Sequence, residues 1–407
     1  KLCGSMSGKS CGMGAGRRAA ACDVFSYHEE VHGGFERPEV ERITKEEKDA
    51  RQKRKNQNSK VYMERTFISG GQWHFDTDRK NQSVIFGMVF YKGLVSVIGR
   101  LFGKVPFSFV ELSLYVVIFL MIGTGIHAAF ESRKAGRKAI WQWLAGLFLG
   151  GCIMLLVFVI NCGINYHRES FSEKSGLKIQ TYSVKDLQAT CQWLTEEVNR
   201  LSTQVERTEN GELQLPEEIR QEAVRSMQAL GRQYPALQGY YPNPKPVLVS
   251  EILSYQKLMG IYAPFTIEAN YNQDMPSYDF PFTMCHELSH LRGFMQEEEA
   301  NFISFLACRE SDMTEFQYSG TLSAWEYAMN ALYRADPKVW QEVREGLSKA
   351  AEPDLRADDQ FWSEYDGSVA EVANMVNDTY LKANGQKQGV KSYGKMTDLL
   401  VAYDQSL

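Results

Sequence analysis

Between residues 84 and 163 the chain departs from the composition of an ordinary soluble protein, and this stretch limits what it can fold into. "FVELSLYVVIFLMIGTGIHAAF", Phe109 to Phe130, carries one acid near its start, and "AIWQWLAGLFLGGCIMLLVFVI", Ala139 to Ile160, carries no charge. Each supplies the roughly 20 apolar residues a helix needs to cross a bilayer, where the backbone must satisfy its own hydrogen bonds. "VIFGMVFYKGLVSVIG", Val84 to Gly99, is shorter and interrupted by Lys92, and reads as a weaker third span or an interfacial segment. The expected division is a flexible charged tail over 1–83, a transmembrane region over 84–163 and a soluble domain over 164–407.

The loop between the strong spans, "ESRKAGRK", sets Arg133, Lys134, Arg137 and Lys138 against Glu131. Basic loops stay in the cytoplasm, so a multi-pass protein of the cell membrane with an extracytoplasmic C-terminal domain is expected. Trp141 and Trp143 fall where an interfacial aromatic belt belongs. Gly146 and Gly150 form a G-x-x-x-G, expected to pack closely against a neighbouring helix of the same chain. In the tail, "GSMSGKSCGMGAGRR" superficially resembles a phosphate loop. The gap from Gly4 to Gly8-Lys9-Ser10 is one residue short, and no strand precedes it. Net charge is a mixed -5, with no long basic stripe after residue 170, so a lipid bilayer and a peptide are the expected partners and nucleic acid is not. The eight cysteines form no C-x-x-C pair.

From Asn165 onward the pattern is helix-rich. "SVKDLQATCQWLTEEVNRLSTQV" repeats apolar residues at helical spacing through Leu187, Cys191, Leu194, Val198 and Leu201, with Ser183 and Asp186 in capping-box positions. "LPEEIRQEAVRSMQALGRQY" predicts a helix with Pro216 in its first turn. "NPKPVLVS" and "GIYAPFTIEANYN" carry the strand signals, and helices are expected over 297–309, 321–335, 337–350 and 368–383. The fold class expected is mainly α: membrane helices followed by a helix-rich α+β domain, with a small strand element just before residue 286.

That position opens "HELSHLRGFMQEEEAN", residues 286 to 301. His286 and His290 are four apart, so on a helix both imidazoles lie on one face, one turn apart. Two zinc ligands drawn from one rigid element need this spacing, and Glu287 between them is placed to take a proton from water polarised by the metal. Of seven histidines, only these two follow residue 167. A catalytic zinc site takes three protein ligands and keeps a fourth position for solvent. Gly293 can end the helix in a left-handed cap and reverse the chain, so that the glutamates after Gln296 begin a second helix facing the first. Glu297 is the favoured third ligand, with Glu299 as the alternative. Asn301, four residues after Glu297, lies on the same helical face and can fix a ligand tautomer. Acids also favour the first turn of a helix through its dipole, which accounts for the others.

H-E-x-x-H followed by E-x-x-A-N resembles the gluzincin class of zinc metallopeptidases. That resemblance implies a zincin-like domain with His286, His290 and Glu297 as Zn2+ ligands, Glu287 as general base and Asn301 behind the ligands. More closely, "NCGINYHRESF", "GIYAPFTIEANYN", "PFTMCHELSHLRGFMQEEEANF", "FQYSG" and "GVKSYG" resemble a family of bacterial multi-pass membrane proteins known only as a domain of unknown function. A peptidase must also hold an extended peptide and stabilise an oxyanion. Glu268 and Asn270 are candidates to line the cleft, and Tyr318 and Tyr393, read as lying in glycine-containing turns, are candidate oxyanion donors. Cys285 lacks a third histidine as base, so a cysteine nucleophile is not expected. The leading expectation is a membrane-anchored zinc metallopeptidase. The alternative is a non-catalytic envelope protein with a structural or vestigial metal site.

Overall fold

Helix α1 (Lys92–Phe102) continues from the weak apolar segment, and its buried edge of Tyr91, Val95 and Gly99 decides how it packs. The Tyr91 hydroxyl lies 3.1 Å from that of Tyr262, so this edge rests on the helical body rather than on the long apolar helices. The computed structural model describes residues 91–384 and 395–407; the tail over 1–83, the segment 84–90 and Tyr393 lie outside them.

Helices α2 (Phe109–Ala135) and α3 (Lys138–Asn161) follow, joined by a turn at Gly136 with φ +72. Both are long and apolar enough to cross a membrane, and almost none of their surface is buried. They pack against each other antiparallel, with Gly125 where an added Cβ would meet the Trp143 ring at 3.0 Å. The expectation for Gly146 and Gly150 is corrected: an added Cβ at either meets nothing within 4 Å, so neither mediates a close approach in this chain.

The body that follows comprises α4 (Phe171–Ser175), α5 (Val184–Ser202), α6 (Ile219–Gln233), β1 (Lys245–Val247), α7 (Glu251–Tyr255), β2 (Gly260–Ala263) and β3 (Glu268–Asn272). Then come α8 (Asp279–Leu291), α9 (Glu297–Arg309), α10 (Thr314–Ala335), α11 (Pro337–Glu345), α12 (Glu352–Glu364), α13 (Ser368–Ala383) and α14 (Lys395–Asp404). The chain is mainly helical, as its periodicity predicts. Ser183 and Asp186 form a complete capping box at the start of α5, whose apolar stripe is buried. Pro216 does not open a helix: α6 starts at Ile219, after an intervening turn. "FQYSG" is helical as well, because α10 begins seven residues earlier than its apolar spacing suggested. Gly320 within it marks a close helix contact, since a Cβ there would press to 2.4 Å on the Cys308 side chain of α9.

The three strands run in the order β1-β3-β2, with β1 parallel and β2 antiparallel to the buried central β3. Residues 260–272 thus form a hairpin, with Gly260 opposite Tyr271 and Ala263 opposite Glu268. β1 and β2 are the edge strands among the described residues. The sheet also fastens α2. The Glu268 carboxylate accepts from the N–H groups of Phe109 (3.1 Å) and Val110 (2.9 Å), while Glu111 accepts from Leu248 (2.7 Å) and Val249 (2.9 Å). Reciprocal carboxylates therefore satisfy the orphan donors of the helix start and of the chain leaving β1.

α8 lies at the centre of the body, packed against α6, α9, α10 and β3. Eleven of its thirteen residues are buried and the other two, Phe280 and His286, are only partly exposed, so its polar groups need internal partners.

Candidate metal centre

α8 ends where its backbone turns left-handed at Gly293, φ +88. The Phe294 N–H bonds the Ser289 carbonyl (3.2 Å) and the Gly293 N–H bonds that of His290 (2.8 Å), the two bonds of a Schellman cap. A Cβ at Gly293 would also lie 2.0 Å from the Arg168 guanidinium, which donates to the Arg292 carbonyl at 2.9 Å. Conformation and space both require glycine. The reversal lays α9 along α8 and brings its first residue, Glu297, against the two histidines.

His286 Nε2 lies 3.3 Å from one Glu297 carboxylate oxygen and His290 Nε2 lies 3.6 Å from the other. One ligand atom from each of the three residues falls within 4.8 Å of the others. Ligands about 2.0–2.1 Å from a tetrahedral ion stand about 3.3 Å apart, so both histidine–carboxylate distances are near zinc spacing, and the three side chains need a small inward adjustment to close on one ion. Both rings are also held from behind. The Phe294 carbonyl accepts from His290 Nδ1 at 2.8 Å. Asn301 bonds the His286 side chain, and its amide nitrogen donates to the Tyr327 hydroxyl at 3.1 Å, which leaves the amide oxygen for the imidazole. His290 Nδ1 therefore carries the proton and its Nε2 offers a lone pair to the shared centre.

Electrostatics divide the two rings. Burial pushes His290 down to about 4, so it is neutral near pH 7. His286 is also opposed by burial, but the adjacent Glu297 carboxylate outweighs it and raises the ring above its ordinary value. Burial lifts Glu287 to about 8. One Glu287 oxygen, Oε2, is buried without a hydrogen-bond partner. The other faces Gly260 at the start of β2, where a Cβ would approach it to 2.6 Å. Glycine at 260 therefore gives room to the carboxylate next to the edge strand.

The remaining sequence candidates fall elsewhere. Glu299 accepts from the Phe171 N–H at 2.7 Å, on the opposite side of α9, and Glu298 pairs with Lys395 at 3.5 Å. Helix geometry separates them from Glu297 by about 100 and 200 degrees. Glu268 is fully buried in its ion pair with Lys245 and in the bonds to α2, so its role is to fasten that helix. Asn270 is fully enclosed, donating to the Ile261 carbonyl at 3.3 Å. Tyr318 gives its proton to Asp354 at 2.6 Å, under the Arg207 guanidinium, a structural commitment inside a helix rather than a turn. Cys285 is buried beside Cys308, and burial raises its thiol far above its ordinary value.

Sequence reasoning missed Tyr166 and Tyr380. Their hydroxyls lie 3.3 Å apart, and Tyr380 lies close enough to Glu297 for its charge to act with burial in raising the phenol. The Cys162 thiol is 3.6 Å from the Tyr380 hydroxyl and 3.7 Å from Met295 Sδ. No local pattern announces this cluster; 214 residues separate the two tyrosines.

Residues 86–401 match a family model described as "Protein of unknown function (DUF3810)". No curated protein matches the chain, and no solved structure does.

Proposed function

The chain belongs to that family of unknown function, and from the geometry of its site we propose that it is a membrane-anchored zinc metallopeptidase with a zincin-like, gluzincin-type centre. One observation carries the reading: two imidazoles and a carboxylate converge, with both histidine–carboxylate distances near zinc spacing, beside a buried carboxylate with an unpartnered oxygen. His286, His290 and Glu297 would hold the ion. When bound, zinc supplies Lewis-acid polarisation of a water molecule and of the scissile carbonyl.

Glu287 does the proton work. It takes a proton from the attacking water as the oxygen bonds to the carbonyl carbon, and hands it to the amine nitrogen as the C–N bond breaks. Tyr380, partly exposed and bonded to Tyr166, is the donor best situated for the developing oxyanion. The open edge of β2, which starts beside Glu287, supports strand-like binding of the substrate backbone. The basic loop of Arg133, Lys134, Arg137 and Lys138 supports an extracytoplasmic site in the cell membrane.

The rival reading, a structural metal in a non-catalytic envelope protein, requires a fourth protein ligand. Among the described residues the cluster offers three. The test uses the full chain in nanodiscs, with zinc content and peptide hydrolysis measured together. Glu287→Gln should keep its zinc and its melting temperature while losing about 10²-fold or more in kcat. Undiminished hydrolysis by that variant would overturn the proposal.

A further inference from the structure

The start of α2 and the end of α3 lie at the same end of the antiparallel pair, and both are bonded to the region around the metal centre. At the α2 start, Glu111 accepts from Leu248 and Val249 N–H groups just after β1. At the α3 end, the Asn161 side chain donates to the Pro264 carbonyl at 2.7 Å, directly after β2. The next residue, Cys162, touches Met295, two residues before Glu297, and Tyr380 on α13. The centre thus sits within a few residues of the point where an apolar helix ends.

The segments bonded to those two ends also expose large apolar side chains. Leu248 is 61% exposed and Ile252 50%, and Phe265 follows the Pro264 that holds Asn161. On α13, Val369, Val372, Met375 and Val376 are 54–67% exposed. With Tyr380 these residues occupy one arc of the helix, while Glu371, Asp378 and Lys382 lie beside that arc and Ala370 and Leu381 make the buried contact. A surface of this kind calls for a covering. It is continuous with two helices whose side chains are almost wholly exposed and apolar, so the covering is the bilayer that receives those helices.

We infer that the metal centre opens at the bilayer surface, on a rim formed by α13, the 248–252 segment and the β2–β3 turn, and that its substrate is the juxtamembrane segment of a membrane-anchored polypeptide. The substrate class rests on the peptidase reading; the bilayer contact does not. β2 supplies the path. It begins at Gly260, against Glu287, and ends at Ala263, next to the Pro264 that is bonded to the α3 end. Four strand residues cover about 13 Å, so a peptide laid along this edge reaches Glu287 about four to eight residues from the bilayer.

The surface is tested by placing the photoreactive residue p-benzoylphenylalanine singly at Val372, Met375 and Phe265, and at exposed Gln341 as control. The full chain is held in phosphatidylethanolamine–phosphatidylglycerol nanodiscs. Crosslinks to lipid at the first three positions and none at Gln341 are expected; no lipid crosslink at any of the four overturns the inference. The substrate class is tested with a single-span polypeptide bearing a 30-residue unstructured tail of mixed sequence, alongside the same tail as a free peptide. Cleavage confined to the first ten or so tail residues, and at least tenfold faster than in the free peptide, is expected. Equal rates, or cuts spread along the tail, overturn the substrate class. Lipid crosslinking with no cleavage of either probe rejects the peptidase reading and this substrate, and leaves the bilayer contact supported.

Discussion

Replacing Gly293 with alanine perturbs the turn that brings α9 onto α8. The backbone there has φ +88, which costs a residue with a Cβ roughly 1–2 kcal/mol. The new methyl would stand 2.0 Å from Arg168 Nη1, so the guanidinium must leave its 2.9 Å bond to the Arg292 carbonyl. A hydrogen bond from a charged donor contributes roughly 1.5–3 kcal/mol. The expected loss is therefore about 2.5–5 kcal/mol, read as a lower melting temperature in detergent. Metal affinity gives the second readout. The same turn supplies the Phe294 carbonyl behind His290 and the approach of Glu297, so about 1.4 kcal/mol of strain relieved by moving α9 weakens zinc tenfold. Competition with a chromophoric chelator measures it. In an Arg168→Ala background the added cost of alanine at 293 should shrink to the backbone part, about 1–2 kcal/mol. A Gly293→Ala variant with unchanged melting and zinc affinity would refute the role given to this turn.

Three further outcomes are expected. Glu268→Ala strands the buried Lys245 ammonium and two backbone donors at the start of α2, and should cost about 3–5 kcal/mol without changing zinc stoichiometry; normal thermal stability would contradict it. Burial pushes Asp358 up to about 7 and its partner Asp279 well above the ordinary 3.8. An acid raised in the fold keeps its proton while the unfolded chain ionises, so stability present below about pH 4 is lost as pH rises towards 7. Melting of the parent should therefore fall between pH 5 and 8, and that of Asp358→Asn should fall less; parallel pH profiles would show that the pair does not titrate as described. Tyr318→Phe leaves an oxygen of the Asp354 carboxylate short of one donor and should lower stability by about 1–3 kcal/mol with kcat unchanged, whereas Tyr380→Phe should lower kcat at unchanged KM, and the reverse pattern in peptide hydrolysis would exchange their roles.

The His286–His290 pairing was legible because helix periodicity acts over four residues, and the reversal at Gly293 because few other residues tolerate a left-handed cap. Helix angle favoured Glu297 and left Glu299 as the alternative, because angle separates the three glutamates without saying which one faces the histidines. The strand signals and the two apolar helices were likewise local. What stayed hidden depends on partners distant in sequence. Glu268 looked like a cleft residue, but α2, over 150 residues earlier, begins on it. Tyr318 looked free because Asp354 is 36 residues away, and Gly260 gave no sign that it faces Glu287. A glycine read only as a turn signal, at 320, instead marks a close helix contact.

X-ray absorption at the zinc edge of the full chain bears most directly on the proposed centre. One zinc per chain is predicted, with a shell of nitrogen and oxygen at about 2.0–2.1 Å that includes two imidazoles. His286→Ala, His290→Ala and Glu297→Ala should each deplete it, and Glu287→Gln should leave it intact. A chain without stoichiometric zinc, or a zinc shell indifferent to those three substitutions, would contradict it.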